Sequence, residues 1–393
     1  MMPAVHIDRS LPDYLREIGR YFPIISLTGP RQAGKTTLLR EHFSDYDYIN
    51  LEDPLYRDQL QEDPRSFLER YSHRVIFDEA QNYPELFSYL QLAVDEDRQP
   101  GRFVVSGSQN FLLNKRITQS LAGRVAITRL LPLDLSELEN AGRRPMSPAE
   151  AIFSGFYPDA VVKKAPPAFF YPSYIGSYLE RDVEGFIAAR NMVTFRLFMK
   201  VCAGFAGQTI NYGNIAKTVG IGVQTVKEWL SILEMSYILF QLPAYFANFK
   251  KRLTKTPKLY FYDTGLLCYL LELDSVDALL SSASYGALFE NLIVADHYKT
   301  YHHRGWDVNR LYHYRDSNQI EVDLVKSEGG QLTLTEIKST TTYRSKLTKT
   351  VRQVAATAAL PTKTELIYGG SEDFSSDGVR VLPWFASVAS TKA

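Results

Sequence analysis

The chain has 393 residues with 44 basic and 44 acidic side chains, so it carries no net charge and any contact with nucleic acid has to come from local patches. Hydrophobic residues make up 45% and charged residues 22%, which suits an ordinary globular protein of two or three domains and excludes a disordered or fibrous chain. Its two cysteines, Cys202 and Cys268, exclude a disulfide scaffold and show no metal-ligand pattern. The N-terminus has no apolar h-region and no stretch reaches transmembrane length, so a cytoplasmic protein without membrane contact is expected.

Phe22–Leu27 (F-P-I-I-S-L) reads as a buried strand. It runs into Gly29–Thr36, G-P-R-Q-A-G-K-T, a complete Walker A box followed by a helix that starts T-T-L-L-R. Such a loop turns backbone N–H groups toward phosphate oxygens at a helix N-terminus, where the helix dipole also favours anions. The residues expected to wrap the phosphates of ATP are Gly29, Pro30, Arg31, Gln32, Ala33, Gly34, Lys35, Thr36 and Thr37. Lys35 is expected to reach the β- and γ-phosphates, and the Thr36 hydroxyl to ligate Mg²⁺.

Arg74–Glu79 (R-V-I-F-D-E) is a short apolar run ending in two acids, as in a central parallel strand with its ligand crevice at the C-terminal end. Asp78 is expected to hold the Mg²⁺ shell and Glu79 to orient the attacking water. The bland alternative is an acidic pair capping the next helix. A third strand, Arg102–Ser106, leads into G-S-Q-N, where Ser108, Gln109 and Asn110 are candidate sensors of the γ-phosphate. Arg124, in L-A-G-R-V, is a candidate arginine finger acting in cis or in trans, with a solvated helix-end arginine as the alternative.

The set G-P-R-Q-A-G-K-T-T, V-I-F-D-E-A-Q, V-S-G-S-Q and L-A-G-R resembles the AAA-type ATPases of bacteria and archaea fused to a C-terminal domain of unknown function. G-F-Y-P at Gly155–Pro158 and Y-L-E-R-D at Tyr178–Asp182 extend the match. The resemblance implies an ATPase followed by a winged-helix region and often a restriction-endonuclease-like domain. Ala141–Pro148 (A-G-R-R-P-M-S-P) suits a hinge after the ATPase core.

In the middle third, Ile215, Ala216 and Val219 fit one face of a helix and Gly220 turns the chain. Val226, Trp229, Leu230 and Leu233 fit the apolar face of a second helix, a helix-turn-helix pattern. On DNA, Gln224, Thr225, Lys227 and Glu228 would lie toward the exposed start of the recognition helix. Lys250, Lys251, Arg252, Lys255 and Lys258 then crowd together without an acid, either as a wing that tracks phosphates or as a solvated edge.

The last third contains two alternating strands, Gln319–Lys326 and Gln331–Thr340, joined by a turn with a Gly-Gly step. Alternation predicts Ile320, Val322 and Leu324 on one face and Glu321 and Asp323 on the other, with Glu336 and Lys338 together on the second strand. Pairing these strands gathers Asp323, Glu336 and Lys338. Two carboxylates can hold Mg²⁺, and a lysine can orient water or stabilise a phosphorane-like transition state. The constellation is similar to the active site of PD-(D/E)xK nucleases, with Val322 where the family has proline. That resemblance implies Glu290, in the helical stretch Tyr285–Tyr298, as a further metal ligand. Arg344, Lys346, Lys349 and Arg352 could hold a phosphodiester backbone, whereas His302, His303 and His313 read as surface or interface residues.

The expected architecture is α/β: a P-loop NTPase parallel sheet (1–140), a helical winged-helix domain (150–275) and a restriction-endonuclease-like α/β domain (280–393). Two functions fit it. One is an ATP-hydrolysing protein that acts on DNA through a Mg²⁺-dependent nuclease site controlled by the ATPase. The other is an ATP-dependent switch for protein partners or DNA with a non-catalytic nuclease-like domain. A homo-oligomer is compatible with either.

Overall fold

The structure, a computed structural model, describes residues 7–107, 121–179, 183, 185–246 and 256–386. After α1 (Leu11–Ile18) the chain forms a parallel sheet of β1 (Ile24–Thr28), β2 (Asp47–Asn50), β3 (Val75–Asp78), β4 (Phe103–Gly107) and β5 (Val125–Arg129), in the order β2-β3-β4-β1-β5. β1, β3 and β4 are buried along their whole length, the physical reason that they read as unbroken apolar runs. α2 (Lys35–His42) packs on the same face as α1. α3 (Pro54–Glu62), α4 (Pro64–Arg70) and α5 (Leu86–Glu96) cover the other face. α6 (Leu135–Asn140) starts with a capping box: Asp134 accepts the Glu137 amide at 2.9 Å, and Glu137 accepts the Asp134 amide at 3.1 Å.

The middle part begins with α7 (Pro148–Ser154), α8 (Pro158–Val162) and α9 (Pro167–Tyr178). Gly155, the first residue of G-F-Y-P, has φ +73°, and a Cβ there would lie 1.9 Å from the Tyr171 hydroxyl. That hydroxyl donates to Asp263 at 2.8 Å, while the other Asp263 oxygen accepts the Phe156 amide at 2.7 Å. The motif therefore locks α7, α9 and the chain around Asp263 together. Next come α10 (Met192–Ala203), α11 (Tyr212–Val219) and α12 (Val223–Met235), then the antiparallel pair β6 (Leu239–Leu242) and β7 (Lys258–Phe261). Gly220, at φ +78°, ends α11, and Ile215, Ala216, Val219, Val226, Trp229, Leu230 and Leu233 are buried. Lys250, Lys251, Arg252 and Lys255 lie outside the described residues. Lys258 departs from the expected wing. It is 1% exposed and points inward.

α13 (Thr264–Leu270) and α14 (Val276–Ser281) lead to the long helix α15 (Tyr285–His303). A mixed sheet follows, made of β8 (Leu311–Arg315), β9 (Glu321–Glu328), β10 (Gln331–Lys338), β11 (Thr362–Tyr368), β12 (Phe374–Ser376) and β13 (Val379–Pro383), with α16 (Lys349–Thr357) between β10 and β11. The strand order is β12-β13-β11-β10-β9-β8. Gly329 (φ +57°) and Gly330 (φ +77°) form a two-residue turn between the paired residues Glu328 and Gln331, a geometry that needs positive φ at both positions.

Strict alternation along β9 does not hold. A register shift opposite Tyr312–Tyr314 inserts one extra residue between Val322 and Val325. Val322 and Val325 therefore both pack on the α16 side, while Leu324 packs with α15. A bulge of this kind re-aims side chains, and it lies beside Asp323.

α15 is buried on nearly all sides, including Asp296, His297, Lys299 and His303. A single apolar cluster runs from Ile7 and Leu131 through the middle helices and α15 to Ile337 and Leu382, so all three parts share a core. Among the described residues, no helix is long and apolar enough to cross a membrane.

His297 donates from Nδ1 to the Ile293 carbonyl at 2.9 Å, and burial, helped by the nearby Lys326 charge, lowers its pKa from 6.5 to about 3. Between these values the unfolded chain holds a proton that the folded chain does not. This part of the stability is complete above pH 6.5 and is lost as pH falls toward 3. His297→Asn is expected to reduce the loss of stability between pH 7 and 4 by about 1–3 kcal/mol, measured by calorimetry at both pH values.

Candidate functional sites

The first site lies at the C-terminal ends of β1, β3 and β4. Gly29 has φ +151°, and a Cβ on it would sit 2.0 Å from the Leu130 carbonyl oxygen, so only glycine lets the loop pass the strand β5 exit. Gly34, at φ +92°, caps α2, and Gln32 also has positive φ. Pro30 and Ala33 are buried, Arg31 is half-buried, and Gln32, Thr36 and Thr37 are exposed. The Lys35 ammonium donates to the carbonyls of Gly29 (2.9 Å) and Pro30 (2.8 Å), which holds it within the loop it is expected to serve.

The Thr36 hydroxyl donates to Asp78 at 2.8 Å, joining the two predicted Mg²⁺ ligands. Two further hydroxyls converge on the same carboxylate: Tyr48 from β2 at 2.5 Å, and Ser106 from β4. Burial and the Asp78 charge push the Tyr48 pKa up, so Tyr48 remains a donor. Sequence reasoning did not single out Tyr48 or Ser106, whose roles depend on strand order. Glu79 adopts φ +52°, unusual for a non-glycine residue, and accepts from the Gln81 amide. Its own backbone N–H donates to Asp78 at 3.1 Å.

Ser108, Gln109 and Asn110 lie outside the described residues. Arg124 forms a two-pronged ion pair with Asp95, at 2.7 and 2.8 Å. It precedes Val125, which pairs with Ile24 at the start of β1, whereas the P-loop follows Thr28 at the other end. At about 3.3 Å per residue, this puts Arg124 on the order of 13 Å or more along the sheet from its own P-loop. The fold does not bring it to its own phosphate loop, and Asp95 supplies the partner that the local sequence could not reveal.

A buried charged network flanks the P-loop. Arg9 donates to the Ala33 carbonyl in the loop (2.7 Å), the Leu131 carbonyl (2.7 Å) and Glu137 (3.0 Å). His303, from the end of α15, accepts the Leu131 amide on Nε2 at 3.2 Å, so its proton sits on Nδ1, which donates to Asp134 at 2.9 Å. Burial opposes the Asp134 charge, but the hydrogen bonds from His303, Ser136 and the Glu137 amide outweigh it and keep its pKa low. Asp134, Glu137 and His303 are close enough to surround a metal ion, but these hydrogen bonds already engage them. His303 is thus wholly buried where α15 meets the ATPase part, which fits the interface alternative rather than the surface one, and His313 is also buried.

The second site gathers residues from α15, β9 and β10. In the register of the β9–β10 hairpin Thr335 faces Leu324, which sets Glu336 beside Asp323. Lys338 lies 2.6 Å from Glu336 and 3.5 Å from Asp323, and the Ile337 amide donates to Asp323 at 2.8 Å. Glu290 faces the same cluster from α15 and accepts from Tyr260 at 2.6 Å and from Lys258 at 2.8 Å. Lys258 also contacts Glu321, and Asp323 at 3.8 Å. Burial, followed by repulsion from Asp323, raises both Glu290 and Glu336 to about 7. The Glu336 Oε2 atom is buried with no hydrogen-bond partner among the described residues. The group is oxygen-rich, as hard divalent cations prefer, but among the described residues no three of its carboxylates bring their oxygens close enough together to surround one ion. Sequence reasoning missed Lys258, Tyr260 and Glu321 as members, because only the docking of β7 onto α15 brings Lys258 and Tyr260 in.

A family model described as "AAA domain" matches residues 21–139, and the geometry of the P-loop and Asp78 agrees with it: this part of the chain is an AAA-type P-loop ATPase domain. Two models described as domains of unknown function, DUF8612 and DUF4143, match residues 147–277 and 285–386. The chain is 30% identical over 367 residues to the "Uncharacterized protein Rv2008c" of Mycobacterium tuberculosis, covering 92% of this chain and 80% of that protein, and it belongs to the same family. It is also similar to the "Uncharacterized protein MJ1544" of Methanocaldococcus jannaschii, 24% identical over 332 residues, covering 76% of this chain and 70% of that one. Among solved structures it is similar to the Walker-type ATPase PABY2304 of Pyrococcus abyssi, with a TM-score of 0.45 and 15% identity over 67% of this chain and 96% of that one. The ORC2 protein of Aeropyrum pernix in its ADP form gives a TM-score of 0.35 and 13% identity over 72% and 97%.

Lys35→Ala is expected to remove ATP binding, and Glu79→Gln to leave binding in place while hydrolysis drops by about 10²-fold or more. Equilibrium nucleotide binding and phosphate release on the same preparations separate the two effects.

Proposed function

We propose that ATP binding and hydrolysis at the P-loop control a Mg²⁺-dependent nuclease site in the C-terminal domain, and that DNA is the substrate. The observation that carries this reading is the convergence of Glu290, Asp323, Glu336 and Lys338, from three elements, into one largely buried cluster. Order along the chain supports it: a helix bearing Glu290, a three-strand meander bearing Asp323, Glu336 and Lys338, then α16 and a parallel strand. Asp323 and Glu336 would hold the cation, with Glu290 completing the carboxylate set. When bound, Mg²⁺ would supply Lewis-acid activation of the scissile phosphate. Lys338, held between Asp323 and Glu336, would orient water or steady charge on the phosphate. Arg344, Lys346 and Lys349 are exposed just after β10, a suitable place for a phosphodiester backbone.

In the middle part, three helices followed by the β6–β7 pair suit a winged helix. Gln224, Lys227 and Glu228 are exposed on α12, as a DNA-facing helix requires. At the P-loop, Lys35 would bind the β- and γ-phosphates, Thr36 and Asp78 would position Mg²⁺, and Glu79 would orient water. Arg124 could serve only the P-loop of a neighbouring copy, and only after leaving Asp95.

One observation favours the second reading, an ATP-dependent switch with a non-catalytic C-terminal domain: an ammonium group, that of Lys258, already sits among the carboxylates.

Incubation with Mg²⁺ or Mn²⁺ and plasmid, single-stranded or branched DNA, with and without ATP, tests the proposal. ATP-sensitive cleavage that disappears in Asp323→Ala/Lys338→Ala is the expected outcome. Intact ATPase activity with no cleavage of any substrate would leave the switch.

A further inference from the structure

The face of the mixed sheet that meets α15 changes character along its length. Leu324, Ile337, Ile367 and Leu382 are apolar and share a core with the helix. Toward the β9–β10 turn the same face carries Lys326, Thr333, Lys363, Glu365 and Arg380, because residues two apart along a strand share a face. These side chains line a cavity of about 540 Å³, with Tyr301 of α15 and Trp306 just after it as further lining. That volume is in the range of small-molecule sites. The cavity lies apart from the carboxylate cluster, since Thr333 and Lys338 are about 17 Å apart along β10.

Its floor holds charges that the fold satisfies only in part. Lys326 and Glu365 are 7% and 6% exposed and pair at 3.2 Å. An ammonium has three donors, and Glu365 is the one hydrogen-bond partner of Lys326 among the described residues. Glu365 accepts from Lys326 and from Thr335 (3.0 Å) on the same oxygen, Oε2, while Oε1 accepts nothing among the described residues. Buried ion pairs ordinarily have their remaining donors and acceptors engaged. Here the spare donors and the spare oxygen belong to two residues that line an open cavity.

Strand register sets these groups in two rows. Thr333 is the pairing partner of Lys326 on one side and of Lys363 on the other, so two ammonium groups flank one hydroxyl. Among the described residues the Thr333 hydroxyl makes no hydrogen bond and Lys363 has no acid, whereas Arg380 pairs with Asp373 at 3.2 Å on the rim. The next row sets Glu365 between Thr335 and Arg380. Glu328, at the edge, accepts the Tyr301 hydroxyl at 2.7 Å. We infer that this cavity binds a phosphorylated sugar, free or as part of a mononucleotide. Phosphate oxygens would take the donors of the Lys326–Thr333–Lys363 row, and a sugar hydroxyl would donate to Glu365 Oε1, which a bare anion cannot do. Trp306 adds an aromatic wall, as is usual where a few polar groups orient a small ligand. The site depends on neither the nuclease reading nor the phosphate loop.

Calorimetric titration of full-length Lys35→Ala protein with ribose 5-phosphate, AMP and inorganic phosphate, in chelator and without divalent cations, tests the inference. The substitution silences the P-loop, and the chelator silences cation-bridged binding. Ribose 5-phosphate or AMP is expected to bind once per chain and more tightly than inorganic phosphate. Tighter binding of AMP than of ribose 5-phosphate identifies a mononucleotide, and the reverse order a free sugar phosphate; both support the site. Adding Lys363→Ala, at an exposed position outside the core, is expected to weaken the sugar phosphates by about ten-fold or more. Adding Glu365→Gln instead is expected to weaken ribose 5-phosphate without weakening inorganic phosphate. The assignment is overturned by an absence of saturable binding, by inorganic phosphate binding as tightly as the sugar phosphates, or by equal affinity with and without Lys363→Ala.

Discussion

The contact on which the arrangement depends is Arg9 on the phosphate loop. One guanidinium holds the Ala33 carbonyl of the loop, the Leu131 carbonyl after β5 and the Glu137 carboxylate of the α6 capping box. Through Asp134 and His303 the same network reaches the last turn of α15. Every side chain in it is buried or nearly so, and removing one partner from a buried group of this kind costs about 3–5 kcal/mol, because the remaining charge has no solvent to replace it. The loop that binds phosphate is therefore not a free surface feature. Its shape is tied to a helix of the C-terminal domain.

That helix explains why the three parts share a core. α15 sits between the ATPase exit strand, the middle helices and the mixed sheet, and its polar residues face protein on every side. Asp296 accepts the Leu135 amide at 2.7 Å, and Lys299 donates to the Leu133 carbonyl at 2.5 Å. Burying such groups is tolerable only because each meets a backbone partner. The consequence is directional. Glu290 near the start of α15 and His303 at its end belong to one rigid element, about 20 Å long between them at 1.5 Å per residue. A change at the phosphate loop and a change at the carboxylate cluster cannot be independent if both shift this helix.

The two sites differ in how their charges are kept. Asp78 is surrounded by hydroxyl donors from Thr36, Tyr48 and Ser106, which favour a carboxylate without cancelling its charge. The C-terminal cluster instead sets carboxylates against lysines, with burial and mutual repulsion raising Glu290 and Glu336. The first arrangement leaves a buried negative charge beside the phosphate loop. The second neutralises part of its own charge with the ammonium groups of Lys258 and Lys338.

Much of the ATPase site was legible in the amino-acid order, because the Walker A loop and the strand ending at Asp78 are local patterns with local physics: glycines where the backbone must approach phosphate, and an apolar run where a strand is covered on both faces. The Gly-Gly hairpin and the inward faces of α11 and α12 were legible for the same reason. What depended on distant chain segments was not. Arg124 looked available until the fold set Asp95 beside it at the far end of the sheet. The β9 bulge cancelled an alternation that holds only in a regular ladder. Lys258 read as part of a basic wing or a solvated edge, and His303 as a surface or interface residue, because the local sequence carries no record of what will pack against it. Local geometry is written in near neighbours along the chain. The partners of buried charges are chosen by tertiary packing, since only there does water leave and a specific counter-charge become necessary.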